Sequence, residues 1–186
     1  MIRLENVSKS FDEKIVISSF SFEFKDGNSY AIIGDSGKGK TTLLNLICSI
    51  IQPDSGNVIT NKPVSISAVF QEDRLFEHLS AIDNVMVATK LKNRQLVIGE
   101  LSVLLPSDEL EKPVSELSGG MRRRVAIVRA ILARSDVVIL DEPFAGLDEN
   151  NINNAFSYIL KRKLGRTLIM TSHNFSFPYD FEKIVL

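Results

Sequence analysis

Eight consecutive residues, Gly34-Asp35-Ser36-Gly37-Lys38-Gly39-Lys40-Thr41, decide how this sequence folds. They fit the pattern G-x-x-x-x-G-K-[ST], in which glycines let the backbone approach an anion closely and the lysine adds positive charge. A short apolar run, Tyr30-Ala31-Ile32-Ile33, precedes them, and apolar residues recur at helical spacing from Thr41 to Ile51. A buried strand that turns through glycines into a helix predicts a phosphate-binding loop. The alternative is a glycine-rich turn with a solvated lysine, and the flanking elements count against it.

Strands and helices alternate along most of the remaining chain. Strand patterns cover residues 2–7, 20–24, 66–70, 137–140 and 167–170, and helical patterns cover about 80–115, 119–133 and 149–164. Ser80, followed by Asp83, resembles a helix-capping box at the start of the middle helical stretch. This order predicts an α/β fold with a mainly parallel central sheet, an N-terminal antiparallel β part and a helical insertion.

Composition excludes several classes of protein. The chain has 186 residues, 44% of them hydrophobic and 24% charged, which excludes a disordered chain. The formal net charge of −1 argues against a nucleic-acid-binding surface over the whole molecule. No apolar stretch approaches the 18 residues of a membrane-spanning helix, and the single cysteine, Cys48, fits a reducing compartment.

Two carboxylates follow a buried strand. The apolar run Val137-Val138-Ile139-Leu140 ends in Asp141-Glu142. Ligands bind at the carboxyl ends of parallel strands, so Asp141 suits an Mg²⁺ ligand and Glu142 suits the polarisation of an attacking water. The alternative, two carboxylates that cap the next turn, loses weight because the phosphate-binding loop is on the same chain.

A second glycine motif opens an arginine-rich helix. In Leu117-Ser118-Gly119-Gly120-Met121, Ser118 can cap the helix and the glycines leave bare N–H groups, which makes a second anion site. The arginines that follow are predicted to form a solvated helix face with contacts between subunits, rather than a nucleic-acid site; they are Arg122, Arg123, Arg124, Arg129 and Arg134.

These motifs together resemble the ATP-binding-cassette (ABC) ATPases, which are P-loop NTPases. The family's landmarks occur in its order: the loop 34–41, Gln71, the signature 117–121, Asp141-Glu142, Gly146-Leu147-Asp148, and His173. The resemblance covers essentially the whole chain and implies one domain over residues 1–186. Its catalytic core is expected at about 1–79 and 116–186, and its helical subdomain at about 80–115.

The resemblance also implies a role for each matching residue, with ATP and Mg²⁺ as cofactors. ATP is expected on one subunit at Phe11, Gly34, Asp35, Ser36, Gly37, Lys38, Gly39, Lys40, Thr41 and Thr42, and on the opposite subunit at Ser118, Gly119, Gly120 and Asp148. The expected metal ligands are Thr41, Gln71 and Asp141, and the expected catalytic residues are Glu142, His173, Gln71 and Lys40. For Phe11 the alternative is a core residue of a β-ribbon, and for His173 a purely structural histidine.

The same resemblance implies partners. ABC cassettes pair head to tail around ATP, and a second copy of this chain is expected as the mate. The segment with Leu75, Phe76 and Leu79 lies where membrane permeases dock, unless it packs the core of the insertion. The signature looks most like importers of nitrate, sulfonate or taurine, so a solute-binding protein is expected indirectly. The expected location is the cytoplasm, on the inner face of the membrane. The alternative function is a non-transport ABC ATPase that acts on nucleic acid or the ribosome.

Overall fold

The computed structural model describes residues 1–173, 177–178 and 180–186, and in these ranges the chain forms eight strands and five α-helices. The strands are β1 (Ile2–Phe11), β2 (Lys14–Phe24), β3 (Ser29–Ile33), β4 (Ser55–Thr60), β5 (Ile66–Val69), β6 (Val137–Leu140), β7 (Thr167–Ser172) and β8 (Phe181–Val185). The helices are α1 (Lys40–Ile47), α2 (Ala81–Thr89), α3 (Arg94–Leu101), α4 (Gly119–Leu132) and α5 (Glu149–Arg162). Two short 3₁₀ turns, Ser107–Glu109 and Val114–Glu116, lie between α3 and α4.

The strands form two sheets that match the predicted α/β fold. One is antiparallel, with strand order β2-β1-β4, and the other has five strands in the order β5-β6-β7-β3-β8. In the second sheet β3 pairs in parallel with β7 and β8, and β6 pairs in parallel with β7. Every residue of β6 is buried, as expected for a parallel strand that is apolar on both faces.

The sequence reading missed β4 and β8 and made α1 too long. The run Pro53-Asp54-Ser55-Gly56 has the composition of a turn, but Ser55 and Gly56 belong to β4 through its pairing with β1, and Gly56 has φ 79°. A Cβ at Gly56 would lie 2.3 Å from the Asn6 carbonyl oxygen, so only glycine fits there. Helix α1 ends at Ile47 rather than Ile51, because Ser49 takes a left-handed conformation (φ 56°).

The described chain divides into two compact units. The first comprises Met1–Ile66, Ser135–Asp141 and Gly165–Leu186, and the second comprises Ser67–Arg134 and Glu142–Leu164. The first unit contains the antiparallel sheet, α1, β3, β6, β7 and β8, whereas α2 to α5 lie in the second. In the described part of the chain, the length and hydrophobicity needed to cross a bilayer do not occur together in any helix.

Candidate functional site

The loop between β3 and α1 requires its glycines. Gly37 (φ 82°) and Gly39 (φ 92°) both take the left-handed conformation that glycine adopts without strain. A Cβ at Gly39 would lie 2.9 Å from both Ile17 Cδ1 and Val16 Cγ1, so this position has no space for a side chain. Gly39 also stands at the N-cap of α1, where no side chain accepts from the first N–H groups. The loop therefore presents backbone donors at the start of a helix, the arrangement that binds phosphate.

Lys40 lies beneath this loop. Its side chain is 5% exposed, and Nζ donates to the carbonyl oxygens of Gly34 (2.7 Å) and Asp35 (3.0 Å). These bonds tie the first loop residues to the first helical residue. They also keep a buried ammonium group beside the loop, where it adds positive charge to the backbone donors. Lys38, by contrast, is exposed on the loop.

A buried carboxylate holds the first turn of α1. Asp141 is 0% exposed and accepts hydrogen bonds from Thr41 Oγ1 (2.7 Å) and Thr171 Oγ1 (2.5 Å). A carboxylate without exposure to solvent needs such donors, because burial of an unpaired charge is costly. Asp141 and Thr41 were expected from the sequence, but Thr171 was not. Leu140 pairs with Met170 in the parallel ladder, so the next residues, Asp141 and Thr171, lie side by side, and only the strand register reveals this.

This arrangement fits Mg²⁺ bound to a nucleotide. Hydroxyl and carboxylate oxygens are the ligands that Mg²⁺ takes in proteins, and phosphates and waters complete its shell. Thr41 and Asp141 place one of each within 2.7 Å, beside a loop built for phosphate. They are the residues of the first unit that would hold the ion.

Glu142 follows in a strained conformation. Its φ of 47° is left-handed, which is uncommon for a residue with a Cβ, and its side chain is half-buried. Such a conformation costs free energy and persists where the surrounding structure holds it, as at functional sites and in tight turns. The carbonyl oxygen of Glu142 accepts from the Ala145 N–H (3.1 Å), which closes the turn that begins there.

The second predicted anion site is the N-terminus of α4. Ser118 Oγ accepts from the Met121 N–H (3.2 Å), which confirms the predicted cap, and the hydroxyl proton stays available to a ligand oxygen. Ser118 and Gly119 are exposed, and nothing lies within 4 Å of a Cβ built at Gly119. At Gly120 a Cβ would lie 3.1 Å from Leu147 Cδ2, so a side chain there would press on the loop before α5.

Asp148 has a structural task in addition to its expected one. It caps α5 by accepting from the Asn151 N–H (2.9 Å) and from the Asn151 side-chain amide (2.6 Å). These hydrogen bonds, first of all the backbone one, hold the pKa of the exposed Asp148 carboxyl below its ordinary value.

The prediction of a solvated arginine face on α4 is wrong for Arg123, which is 7% exposed, whereas Arg122, Arg124 and Arg129 are half-buried. Arg123, Arg124 and Arg129 each donate to backbone carbonyl oxygens within the second unit. Arg134 is exposed as predicted. The positions of arginines in the sequence do not reveal which of them face backbone carbonyl oxygens that have no other hydrogen-bond donor.

The remaining predicted residues are exposed and their roles stay predictions. Phe11 is 46% exposed on β1, with Lys9 Nζ 5.5 Å from its ring centroid, so it is not a core residue. Gln71 is exposed after β5, and His173 is exposed after β7. The first unit thus carries residues 34–42, Asp141, Phe11 and His173, and the second carries Gln71, residues 118–120, Glu142 and Asp148.

Comparisons with known proteins bear on the same features. The family model described as ABC transporter matches residues 17–145. A Pyrococcus furiosus protein described as a putative ABC transporter ATP-binding protein has a similar structure: TM-score 0.87, 25% identity, covering 100% of this chain and 96% of that one.

Two structures of the ATP-binding cassette MJ0796 are also similar. One is described as a dimeric post-hydrolysis state bound to ADP and Pi, and the other as the dimeric structure of a bacterial ABC transporter cassette. Each has a TM-score of 0.82 and 26% identity, and the match covers 94% of this chain and 88% of that one. Family, fold and loop chemistry agree, and the chain belongs to the ABC transporter family as an ATPase cassette with the α/β P-loop fold.

Proposed function

We propose that this chain is the ATP-hydrolysing subunit of a membrane transporter, and that two copies close head to tail around ATP to drive a permease. The observation that carries the proposal is the buried Asp141 carboxylate joined to Thr41, beside a loop with backbone donors and the buried Lys40. This set supplies a phosphate cradle and two oxygen ligands for Mg²⁺.

Each residue then has a distinct task. Lys40 and the loop N–H groups bind the β- and γ-phosphates, and Thr41 and Asp141 hold the metal, which neutralises charge that develops on the phosphoryl group. Glu142 takes the proton of the attacking water, and Gln71 and His173 orient that water. Phe11 stacks on the base.

A second subunit completes the site in this proposal. Ser118 caps the N-terminus of α4 and is exposed, as is Gly119, with the half-buried Gly120 beside them. This helix end suits the γ-phosphate of a nucleotide held by the partner, bound by Ser118 and Gly120. The dimeric MJ0796 structures support this arrangement. Because ATP is then shared by two surfaces, closure follows ATP binding and hydrolysis reopens the pair.

A cavity in the second unit supports docking to a permease. It measures about 400 Å³ and is lined by residues 71–75 together with Glu77, Val114 and Arg122. Phe76 next to it is 45% exposed, against the alternative that it packs the core of the insertion. Arg122 Nε and Asp73 Oδ1 are buried without a hydrogen bond, although Asp73 Oδ1 lies 3.1 Å from Arg123 Nη1. The cleft is lined mainly by polar and charged residues, with Leu75 and Val114 as its apolar ones, and a short partner helix with both polar and apolar side chains suits it. The small-solute importer type, with nitrate, sulfonate or taurine as the substrate class, is the finer part of the proposal.

Glu142→Gln tests the proposed chemistry. We expect ATP turnover to fall at least about 100-fold, because a positioned general base contributes on that scale. We also expect an ATP-bound dimer in light scattering, since the trapped nucleotide holds both copies. Glu182→Gln, on the exposed face of β8, is the matched control and keeps turnover. Unchanged turnover in Glu142→Gln would remove Glu142 from its role.

Membrane extraction tests the partner. In mild detergent the chain is expected to co-purify with an integral membrane permease, and a solute-binding protein joins that complex only through the permease. A complex with nucleic acid or ribosomes that weakens with salt, and no permease, would favour the non-transport ATPase instead.

A further inference from the structure

Arg123 lies in the second turn of α4 and is nearly enclosed. Only 7% of the residue is exposed, and its guanidinium donates from Nη1 to the Phe70 carbonyl oxygen (2.7 Å) and from Nη2 to that of Gln71 (2.6 Å). Nη1 also lies 3.1 Å from Asp73 Oδ1. One planar fork thus holds two consecutive backbone carbonyls, a task that suits arginine and not the single ammonium of lysine.

The place of these carbonyls explains the enclosed charge. Phe70 and Gln71 directly follow Val69, where β5 ends. The chain there leaves the sheet, so these carbonyl oxygens need donors from elsewhere. Arg123 supplies them, and the carbonyls and the Asp73 carboxylate together compensate the enclosed charge.

A second arginine attaches the next part of the same segment. Arg129 donates from Nη2 to the Asp73 carbonyl oxygen (2.7 Å) and from Nη1 to that of Arg74 (2.7 Å). Residues 70–74 are therefore bound at both ends to α4, the helix that begins after Ser118. Arg129 makes a similar fork to two carbonyls, but not to Gln71, and so offers a matched comparison.

We infer that Arg123 is a positioning residue for Gln71: it fixes the backbone from which the Gln71 carboxamide reaches the Mg²⁺ and water of the bound nucleotide. The inference rests on the proposed function, in which Gln71 acts on those groups. The contacts of the Arg123 guanidinium are with the Phe70 and Gln71 carbonyl oxygens and Asp73, and the proposed function assigns Arg123 no contact with nucleotide or metal. Because α4 carries both Arg123 and the signature, Gln71 and Ser118 belong to one connected body within the second unit.

Arg123→Ala is the first test. Because small misplacements of a catalytic group cost up to about 100-fold in rate, we expect kcat to fall about 10- to 100-fold. KM and the ATP dissociation constant stay within about twofold, since the proposed function assigns Arg123 no contact with the nucleotide. The Mg²⁺ concentration for half-maximal turnover rises. Arg129→Ala is expected to lower kcat several-fold less, and equal losses in the two variants would overturn the inference.

Hydrogen exchange gives a readout that needs no turnover. In Arg123→Ala the amides of residues 70–72 are expected to exchange at least about 10-fold faster, as expected when local openings become easier. In Arg129→Ala the increase is expected at 73–75. Unchanged exchange at 70–72 in Arg123→Ala would overturn the inference, even if the wild-type chain proved unable to hydrolyse ATP and the proposed function failed.

A double variant separates positioning from general stability. If Arg123 acts only through Gln71, then Gln71→Ala/Arg123→Ala turns over no more slowly than Gln71→Ala alone. Losses that multiply would refute the inference. Arg123→Lys keeps one donor and the charge, and it is expected to recover part of the lost kcat. If Arg123→Ala fails to fold, Arg123→Lys replaces it as the test. Turnover at the wild-type rate in Arg123→Lys would then show that two guanidinium donors to the Phe70 and Gln71 carbonyls are not needed, and would refute the inference.

Discussion

Thr171→Val removes one donor from the buried Asp141 carboxylate and changes the side-chain volume little. Asp141 is 0% exposed, and the Thr171 hydroxyl reaches it over 2.5 Å, so the lost bond is one to a buried carboxylate. Hydrogen bonds to charged groups contribute about 1.5–3 kcal/mol. In a domain of this size, 1 kcal/mol shifts the melting temperature by about 2–4 °C. We therefore expect a loss of about 1.5–3 kcal/mol in the free energy of unfolding and a melting temperature lower by about 3–12 °C.

The assay is urea unfolding followed by circular dichroism, with the midpoint compared at an unchanged m-value. Thr167→Val is the matched control, because Thr167 is also buried and its hydroxyl makes only neutral hydrogen bonds: it accepts from the Gly27 N–H (2.9 Å) and donates over a long 3.4 Å to the Lys25 carbonyl oxygen. This control is expected to lose only about 0.5–1.5 kcal/mol. If Thr171→Val cost no more than Thr167→Val, the carboxylate would not depend on that hydroxyl, and the account of the site would be wrong.

Two further predictions follow from backbone and cap geometry. Gly39→Ala places a Cβ 2.9 Å from Ile17 and Val16 at φ 92°, so we expect a loss of about 1–3 kcal/mol in stability and at least about 10-fold weaker ATP binding, measured by calorimetry. Gly99→Ala is the control, because nothing lies within 4 Å of a Cβ at that position on α3. Equal effects of the two substitutions would contradict the reasoning. Asp148→Asn keeps the cap and removes a carboxyl whose folded-state pKa is lowered by hydrogen bonds. Because the folded-state pKa is lowered, the ionised carboxyl stabilises the fold at pH values above its ordinary pKa of 3.8, and this stabilisation disappears as the pH falls through the folded-state pKa. Between pH 6 and pH 3 the wild type should therefore lose more stability than Asp148→Asn in urea titrations. Parallel stability curves for the two proteins would refute this.

The sequence predicts elements well where one local signal dominates. The apolar run 137–140 is β6 without error, and the caps at Ser80 and Ser118 form as predicted. Prediction from the sequence fails where a strand forms only because it pairs with a strand that is distant in the sequence. Residues 53–56 have the composition of a turn, yet the last two begin β4 because that strand pairs with β1, and Phe181–Val185 becomes a strand because it pairs with β3. Pairing energy comes from distant residues, so no local pattern contains it.

The site follows the same division. The glycines, Lys40 and Thr41 are contiguous, so a motif finds them, and Asp141 is found because it ends an apolar run. Thr171 lies 30 residues from Asp141 and becomes its partner only through the register of β6 with β7. A sequence pattern can therefore predict the glycine loop and the carboxylate that follows β6, but not the hydroxyl of Thr171 that holds this carboxylate in place.

The arginines of α4 show why charge in a sequence is a poor guide to exposure. Arg123 and Arg134 are the same residue type on or next to one helix, yet one is enclosed and the other solvated. The difference is made by the segment that faces each of them: Arg123 meets carbonyls released at the end of β5, whereas the exposed Arg134 follows the end of its helix. An orphaned carbonyl costs free energy wherever the chain leaves a sheet, and a nearby arginine can satisfy two at once. Residues 70–74 keep their backbone shape through arginines contributed by another element, and any property of Gln71 that depends on that shape depends on α4.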